Sequence, residues 1–516
     1  MLATMILKGR SSNVKIFKII DEVQYRLSKN LFVSILLLGL ILQQLPANTI
    51  AMSSLANTSQ ASQKHDMMLL PLPASRIKDE AESVWVEFIQ LALDNKPLNL
   101  GQGFPDFAAP QYLIESLKNS TNVQSEGNNA VLANQYTRSF GHPRLVRALV
   151  RYYRDYRKFN QLNNGNEQVL VTVGAYEALF TAIMAFVEPG DEVILIDPAF
   201  DAYEPMVRMA GGKSVFVALR YTGNETSDAN EKNQLSSSDF KLDMSELRSR
   251  ITSKTKLLLL NTPNNPLGKM FTRNELLEIG QLCIDHNLLV VADEVYEQMF
   301  YAEQEHISIA QVSPEMWQRT VTIGSAGKTF SVTGWKIGWA LGPSHLLRYM
   351  QLVHQTAIYT VATPLQESIA RAFEHEMDNI SSNSTVDYWT SLRQDLTRKR
   401  QRMADILEKA QMRPIVPEGG YFMLADFGPL GKQWPEYRLE GESKAPGKSN
   451  SNDYKFARWL SKAKRLQGIP ASAFYSDSNK PLGAQMIRFC FIKQDETLDS
   501  LEKLINSITG VGKSKL

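Results

Sequence analysis

At 516 residues the chain is longer than one hydrophobic core usually serves, so two domains are expected. Its composition, 43% hydrophobic and 21% charged, is that of a globular protein, and a formal net charge of +2 excludes a large electrostatic surface for nucleic acid. The two cysteines, Cys283 and Cys490, stand far apart, and neither has a second cysteine or a histidine at metal-ligand spacing that completes a four-ligand set, which argues against zinc and for a reducing compartment.

The chain opens on a segment unlike the rest. Residues 31–42 (LFVSILLLGLIL) are an apolar run of about a dozen, short of the roughly 20 needed to cross a bilayer. Lys8, Arg10, Lys15, Lys18, Arg26 and Lys29 precede it, and a low-complexity stretch follows. Residues 1–68 are therefore read as a leader or extension outside the fold: a signal-type segment, a mitochondrial-type leader, or an extension upstream of a start at Met52 or Met67. The compartment expected is cytoplasmic or mitochondrial, with a signal or anchor left open.

The ordered part is expected to begin near Leu69. Short apolar runs then alternate with helical patterns. Strands are expected at 169–173, 193–197, 214–219, 256–260, 288–292, 320–323 and 337–341. Most are near-continuous in apolar residues, as parallel strands covered on both faces are. Helices are expected at 175–187 and 273–286, the second opened by Thr272 with Glu275 completing a capping box. Two polar stretches, 222–239 and 434–453, read as surface loops. The C-terminal third changes style, with a long amphipathic helix at 386–410 and strands at 421–426 and 486–492. The fold class is α/β, a mostly parallel seven-stranded sheet in a large domain with a smaller α+β domain.

Chemistry in such sheets sits on loops at the carboxyl ends of the strands. After 169–173 come Gly174, Ala175 and Tyr176, opening a helix whose free N–H groups can face a phosphate; alone, this is as readily a tight turn. After 256–260 comes NTPNNPLG, where Asn265 before Pro266 can offer a rigidly held amide. Asp293 ends an apolar strand, which demands a cationic partner such as a protonated pyridine nitrogen, with Tyr296 three residues on; capping of a following helix is the plain alternative. After 320–323 comes GSAGKTF, in which Lys328 sits among small residues as a candidate imine-forming amine, with Ser325 and Lys336 near it for a phosphate. A nucleotide P-loop is excluded there because Thr322 occupies the position of its first glycine. Arg488 lies between apolar residues in 486–492 and needs an anion: a substrate carboxylate or an internal salt bridge.

With these residues in view, the chain resembles a fold-type-I aminotransferase of class I/II. More narrowly it resembles the animal kynurenine aminotransferases I and III, the first also called glutamine transaminase K or cysteine-S-conjugate β-lyase. The likeness runs from about Trp85 to the C-terminus and is carried by LGQGFPDF at 100–107, NQYT at 134–137, 261–269, 293–296, 323–339 and IRFCF at 487–491. It implies pyridoxal 5′-phosphate as cofactor, with Lys328 holding it and shuttling the proton, Asp293 on the pyridine nitrogen, and Asn265 and Tyr296 on the ring oxygen. It further implies Ser325, Lys336 and the backbone of Ala175 and Tyr176 on the phosphate, and Phe200 stacked on the ring. Arg488 and Asn265 would take the substrate carboxylate, and Gly103 and Trp85 would line the side-chain pocket.

By the same resemblance Tyr136 would reach in from a partner subunit of a homodimer. Residues 69–117 and 378–516 would make the small domain and 118–377 the large one. The implied reaction passes the amino group of kynurenine, glutamine and related aromatic or sulfur amino acids to a 2-oxo acid. A dedicated β-lyase and a catalytically silent binding homologue are the competing readings. Two departures stand out: Ala199 where a second aromatic is usual, and Thr360 where the type I pattern has histidine. The first bears on the packing behind Phe200; the second, where residues 359–364 look more like type III, bears on side-chain preference rather than on the reaction.

Overall fold

A run such as Leu257, Leu258, Leu259 and Leu260, every side chain buried, requires helices on both faces of the strand that carries it. The computed structural model describes residues 73–78, 82–223, 234–301, 305–382, 386–441 and 449–509. Its large sheet contains β1 (Val169–Val173), β2 (Glu192–Asp197), β3 (Lys213–Tyr221), β4 (Phe240–Leu242), β5 (Thr255–Asn261), β6 (Leu289–Asp293), β7 (Thr320–Ser325) and β8 (Ile337–Leu341). Their spatial order is β1-β8-β7-β6-β5-β2-β3-β4.

Strands β3, β2, β5, β6 and β7 run parallel to one another. Strand β8 is antiparallel to both its neighbours, β1 and β7. The seven expected strands all form, with ends within two residues of expectation. The sheet has an eighth, β4, which pairs antiparallel with β3 through Leu219↔Leu242 and Tyr221↔Phe240. At three residues, with Phe240 and Leu242 inward and Lys241 outward, it is too short for periodicity to announce.

Helices cover the sheet as the apolar runs demand. Gly174–Phe186 follows β1, and Arg273–Asp285 begins at the expected box, the Thr272 hydroxyl accepting from the Glu275 N–H at 3.2 Å and the Glu275 carboxylate from the Thr272 N–H at 2.8 Å. A second sheet runs Ile469–Pro470, Met486–Cys490, Phe422–Asp426, Arg413–Val416 and Leu235–Ser236, flanked by the helix Tyr388–Lys409.

Neither polar stretch is wholly loop. Leu235–Ser236 is an edge strand parallel to Arg413–Val416, followed by the 3₁₀ turn Ser237–Asp239, which Ser236 caps. Within the later stretch Pro435–Leu439 is a 3₁₀ turn and Asn452–Lys464 a helix. In both cases short elements rich in polar residues form where composition alone reads loop. Residues from Ala74 on form one compact unit. The leader and its apolar run at 31–42 lie outside the described residues, among which no helix is long and apolar enough to cross a membrane.

Candidate active site

The carboxyl ends of β1, β5, β6 and β7 meet at one edge of the large sheet. Because β8 runs the other way, its amino end joins them, which is what brings Lys336 to the turn after β1 and to Ser325. Register places Asn261 beside Asp293 and Gly338 between Thr172 and Ser325. The result is a cavity of about 340 Å³. Of the residues singled out in the sequence, Trp85, Gly103, Ala175, Tyr176, Phe200, Asn265, Asp293, Tyr296, Ser325, Lys328, Lys336 and Arg488 all line it. Tyr136 does not; it is 83% exposed, its ring meeting Tyr359 edge-on at 5.8 Å. Thr360 is also outside the lining.

Asp293 ends β6 and a turn, not a helix, follows, so it caps nothing. Its Oδ2 accepts from the Tyr203 hydroxyl at 2.5 Å, while Oδ1 is buried with no hydrogen-bond partner. Burial pushes its carboxyl up, opposed by the Tyr203 bond, the Val295 N–H and the charge of Lys328. A buried unfilled acceptor costs about 1–3 kcal/mol, and a cationic N–H donor entering the cavity removes that penalty.

Lys328 lies in the short helix Ala326–Thr329 that follows β7 directly. Its Nζ donates to the Tyr421 hydroxyl at 2.5 Å and sits 5.6 Å from the Tyr296 ring centroid. Burial pushes its ammonium down to about 8; Arg488 and Lys336 act the same way, and Cys490 and Asp293 oppose them. An amine with that value exchanges its proton readily near neutrality.

The turn after β1 is built to hold an anion. Gly174 has φ +70°, and a Cβ there would meet Lys336 Nζ at 3.4 Å. The 13-residue helix it opens leaves its first N–H groups, those of Ala175 and Tyr176 among them, without intrahelical acceptors. Lys336 Nζ lies 5.9 Å from the Tyr176 ring centroid, and no carboxylate among the described residues pairs with it. Glu177, in the same first turn, is directed backwards: it accepts from the Val173 N–H at 2.5 Å and pairs with His354 at 2.6 Å. An acid in the first turn is thus kept from the anion's place.

Arg488 is 1% exposed and its partners are an amide and a carbonyl: Nη1 donates to Asn265 Oδ1 at 2.9 Å and Nη2 to the Gly101 oxygen at 3.1 Å. Its Nε has no partner. The guanidinium carbon lies 3.8, 4.7 and 5.0 Å from the ring centroids of Phe422, Phe474 and Trp85. Burial pushes it down to about 10, so it stays charged at neutral pH without a carboxylate partner. The internal salt bridge is thereby excluded among the described residues, and an incoming carboxylate is the complement that remains.

Trp85 is held over this cage by Asp201, whose Oδ1 accepts from the indole N–H at 3.1 Å while Oδ2 takes the Ser83 hydroxyl at 2.7 Å. Asp201→Ala frees the indole, and the expected result is a five- to tenfold rise in KM, roughly, with kcat within about twofold, read from steady-state kinetics. Phe200 is packed edge-on by Tyr203 at 5.7 Å and Tyr176 at 6.3 Å, with the small Ala199 buried beside it.

Two site groups escaped the sequence: Tyr203, which bonds Asp293, and Tyr421, which bonds Lys328. The only trace of the second was a phenol after Gly419 and Gly420, placed at the head of an expected strand; the strand itself begins at Phe422.

Pyridoxal phosphate fits these residues on two counts taken from the chain itself: the unfilled Asp293 Oδ1 matches a protonated ring nitrogen, and the Gly174–Tyr176 turn with Lys336 matches a phosphate. Comparison with known proteins points the same way. The family model for aminotransferase class I and II matches residues 95–505. The chain is 44% identical to kynurenine--oxoglutarate transaminase 3 of Rattus norvegicus over 462 residues, covering 90% of this chain and 95% of that one. With kynurenine--oxoglutarate transaminase 1 of Mus musculus it shares 42% identity, covering 85% and 98%. Among solved structures, N-succinyldiaminopimelate aminotransferase from Mycobacterium tuberculosis superposes with a TM-score of 0.71 at 32% identity, covering 84% of this chain and all of that one (100%). Thermus thermophilus aspartate aminotransferase with maleate does so at 0.67 and 25%, covering 85% and 100%.

Proposed function

Because the chain belongs to the class I and II aminotransferases, enzymes that depend on pyridoxal 5′-phosphate, we propose that it moves the amino group of kynurenine to a 2-oxo acid such as 2-oxoglutarate. The observation that carries this reading is the meeting of three incomplete groups in one cavity: the Lys328 amine, the unfilled Asp293 oxygen and the unpaired Arg488 guanidinium.

When bound, the cofactor supplies an electron sink through its protonated ring. The chain's residues do the rest. Asp293 would hold the ring nitrogen protonated, Asn265 and Tyr296 would hold the ring oxygen, and Phe200 would pack on the ring. Ser325, Lys336 and the N–H groups of Ala175 and Tyr176 would hold the phosphate. Lys328 would hold the cofactor through Nζ, and its free amine would take the proton from the substrate α-carbon and return it. Arg488, with Asn265, orients the substrate carboxylate, and its aromatic cage excludes water from the ion pair. Trp85 and Gly103 border the side chain; the aromatic lining suits a planar ring such as kynurenine's.

A second copy of the chain completes the site in this reading, since Tyr136 and Tyr359, 83% and 54% exposed, form an aromatic pair on the surface of one copy. Glutamine and sulfur amino acids are further donors we propose. With a leaving group on Cβ, the same α-proton removal serves elimination, whose share is measured as pyruvate formed without an oxo acid.

The test is direct. Protein saturated with pyridoxal phosphate, given kynurenine and 2-oxoglutarate, is expected to form glutamate in step with kynurenine consumption. Absence of the amino acid corresponding to the acceptor, across amino donors and 2-oxo acids, sinks the proposal. Arg488→Gln is expected to lower kcat/KM by about 10²- to 10³-fold, the scale of losing one partner of a buried charge pair.

A further inference from the structure

The assigned roles leave one buried contact of the lysine unexplained. Lys328 Nζ donates to the Tyr421 oxygen at 2.5 Å, and the Tyr421 hydroxyl donates to the Gly103 carbonyl at 2.9 Å. A phenol has one proton, and here it is directed at a backbone carbonyl, which can only accept. Its oxygen is therefore left as an acceptor facing the lysine. The ring cannot turn away: Tyr421 is 1% exposed, its ring packed against Phe422 at 4.7 Å and edge-on to Tyr296 at 5.2 Å. Gly103 in turn must be glycine, because a Cβ there would clash with the Phe422 ring. The loop that carries Gly103 is tied down at both sides, Gly101 accepting from Arg488 at 3.1 Å and Phe104 from Lys493 at 2.8 Å.

We propose that Tyr421 is a positioning residue for the transamination lysine: its oxygen, polarised by the Gly103 carbonyl, fixes the direction of the Lys328 amine, and so ties that aim to the loop bordering the substrate side chain. This rests on the role given to Lys328 above. The groups facing the amine are Tyr296, Asp293, Arg488, Lys336 and Cys490, and none of these stands in for the acceptor.

The variant is Tyr421→Phe, which keeps the ring and removes the oxygen; incorporation of 3,5-difluorotyrosine at 421 keeps the ring and its oxygen and makes the phenol more acidic. The first readout is the cofactor-free protein: the pH dependence of Lys328 modification by an amine-reactive reagent, followed by peptide mass spectrometry. An ammonium that loses an acceptor is less stabilised, so the midpoint moves down by about one pH unit in Tyr421→Phe; with difluorotyrosine, whose phenol ionises more readily and then faces the ammonium as an anion, it moves up. The second is the loaded enzyme, where kcat falls about 10- to 100-fold while KM changes less than about threefold. Unchanged labelling midpoints in both proteins, with melting temperatures showing that they are folded, overturn the proposal even if kcat falls. Failure of the wild-type protein to give a visible band with pyridoxal phosphate overturns the enzyme reading instead, so the two failures are separable.

Discussion

Lys328→Ala, loaded with pyridoxal phosphate, is expected to lack the visible absorption of the wild-type protein and at least about 10⁴-fold of its transaminase activity, the upper range for one proton-transfer group. Two functions vanish together in this variant: the covalent hold on the cofactor and the base at the substrate α-carbon. No other amine replaces the first, since Lys336, the other lysine of the cavity, is placed at the phosphate turn. The fold should survive. Lys328 sits on the surface of the cavity rather than under the sheet, and among the described residues its one hydrogen bond is to Tyr421, which keeps Gly103 as partner. The melting temperature of the cofactor-free variant is thus expected to match or exceed the wild type, because a desolvated ammonium has been removed. Retention of the visible band, or of more than about 1% of the activity, would place the reactive amine elsewhere.

What the sequence made legible follows a physical division. Residues on loops just past strand ends were readable because the strands are strong local signals and the loop follows at once: Gly174, Asn265, Asp293, Ser325 and Lys328 all lie within four residues of such an end. Arg488 was readable for the opposite reason, as a charge inside an apolar strand. The antiparallel direction of β8 was not readable, since an apolar run does not state its direction; yet that reversal delivers Lys336 to the phosphate turn. Tyr421 and Tyr203 were hidden because their roles depend on pairings across 93 and 90 residues of chain, and a buried tyrosine in a core looks alike whether or not its hydroxyl is used. Asp201 went unread as the anchor of Trp85 because that bond spans 116 residues.

Asp293→Asn is expected to trade function for stability. Under the proposed roles two donors would converge on Asp293 in the loaded enzyme, the Tyr203 hydroxyl and the ring N–H of the cofactor, and a carboxylate has an oxygen for each. Asparagine has one oxygen. Its NH₂ must then face one of the two donors, and its neutral amide no longer holds the ring nitrogen protonated. The expected loss in kcat is about 10³-fold, with weaker cofactor binding, measured by steady-state kinetics and by titration of the visible band. Without cofactor the sign reverses. Burial raises the Asp293 carboxyl above its unfolded value of about 3.9. The native state therefore holds that proton to a higher pH than the unfolded chain does. Stability falls as pH rises from the unfolded value through the folded one, and the whole penalty is in force once the folded group is ionised. The asparagine variant has no such slope. In cofactor-free melts above that window it should be the more stable protein by about 1–3 kcal/mol, and the difference should vanish at low pH. Excess pyridoxal phosphate should then stabilise the wild type more than the variant, since ligand that binds only the native state adds about 2.7 kcal/mol at a hundredfold excess over Kd. A variant equally active, or one no more stable than wild type when both lack cofactor at neutral pH, would show that the unfilled oxygen of Asp293 is not where the ring nitrogen binds.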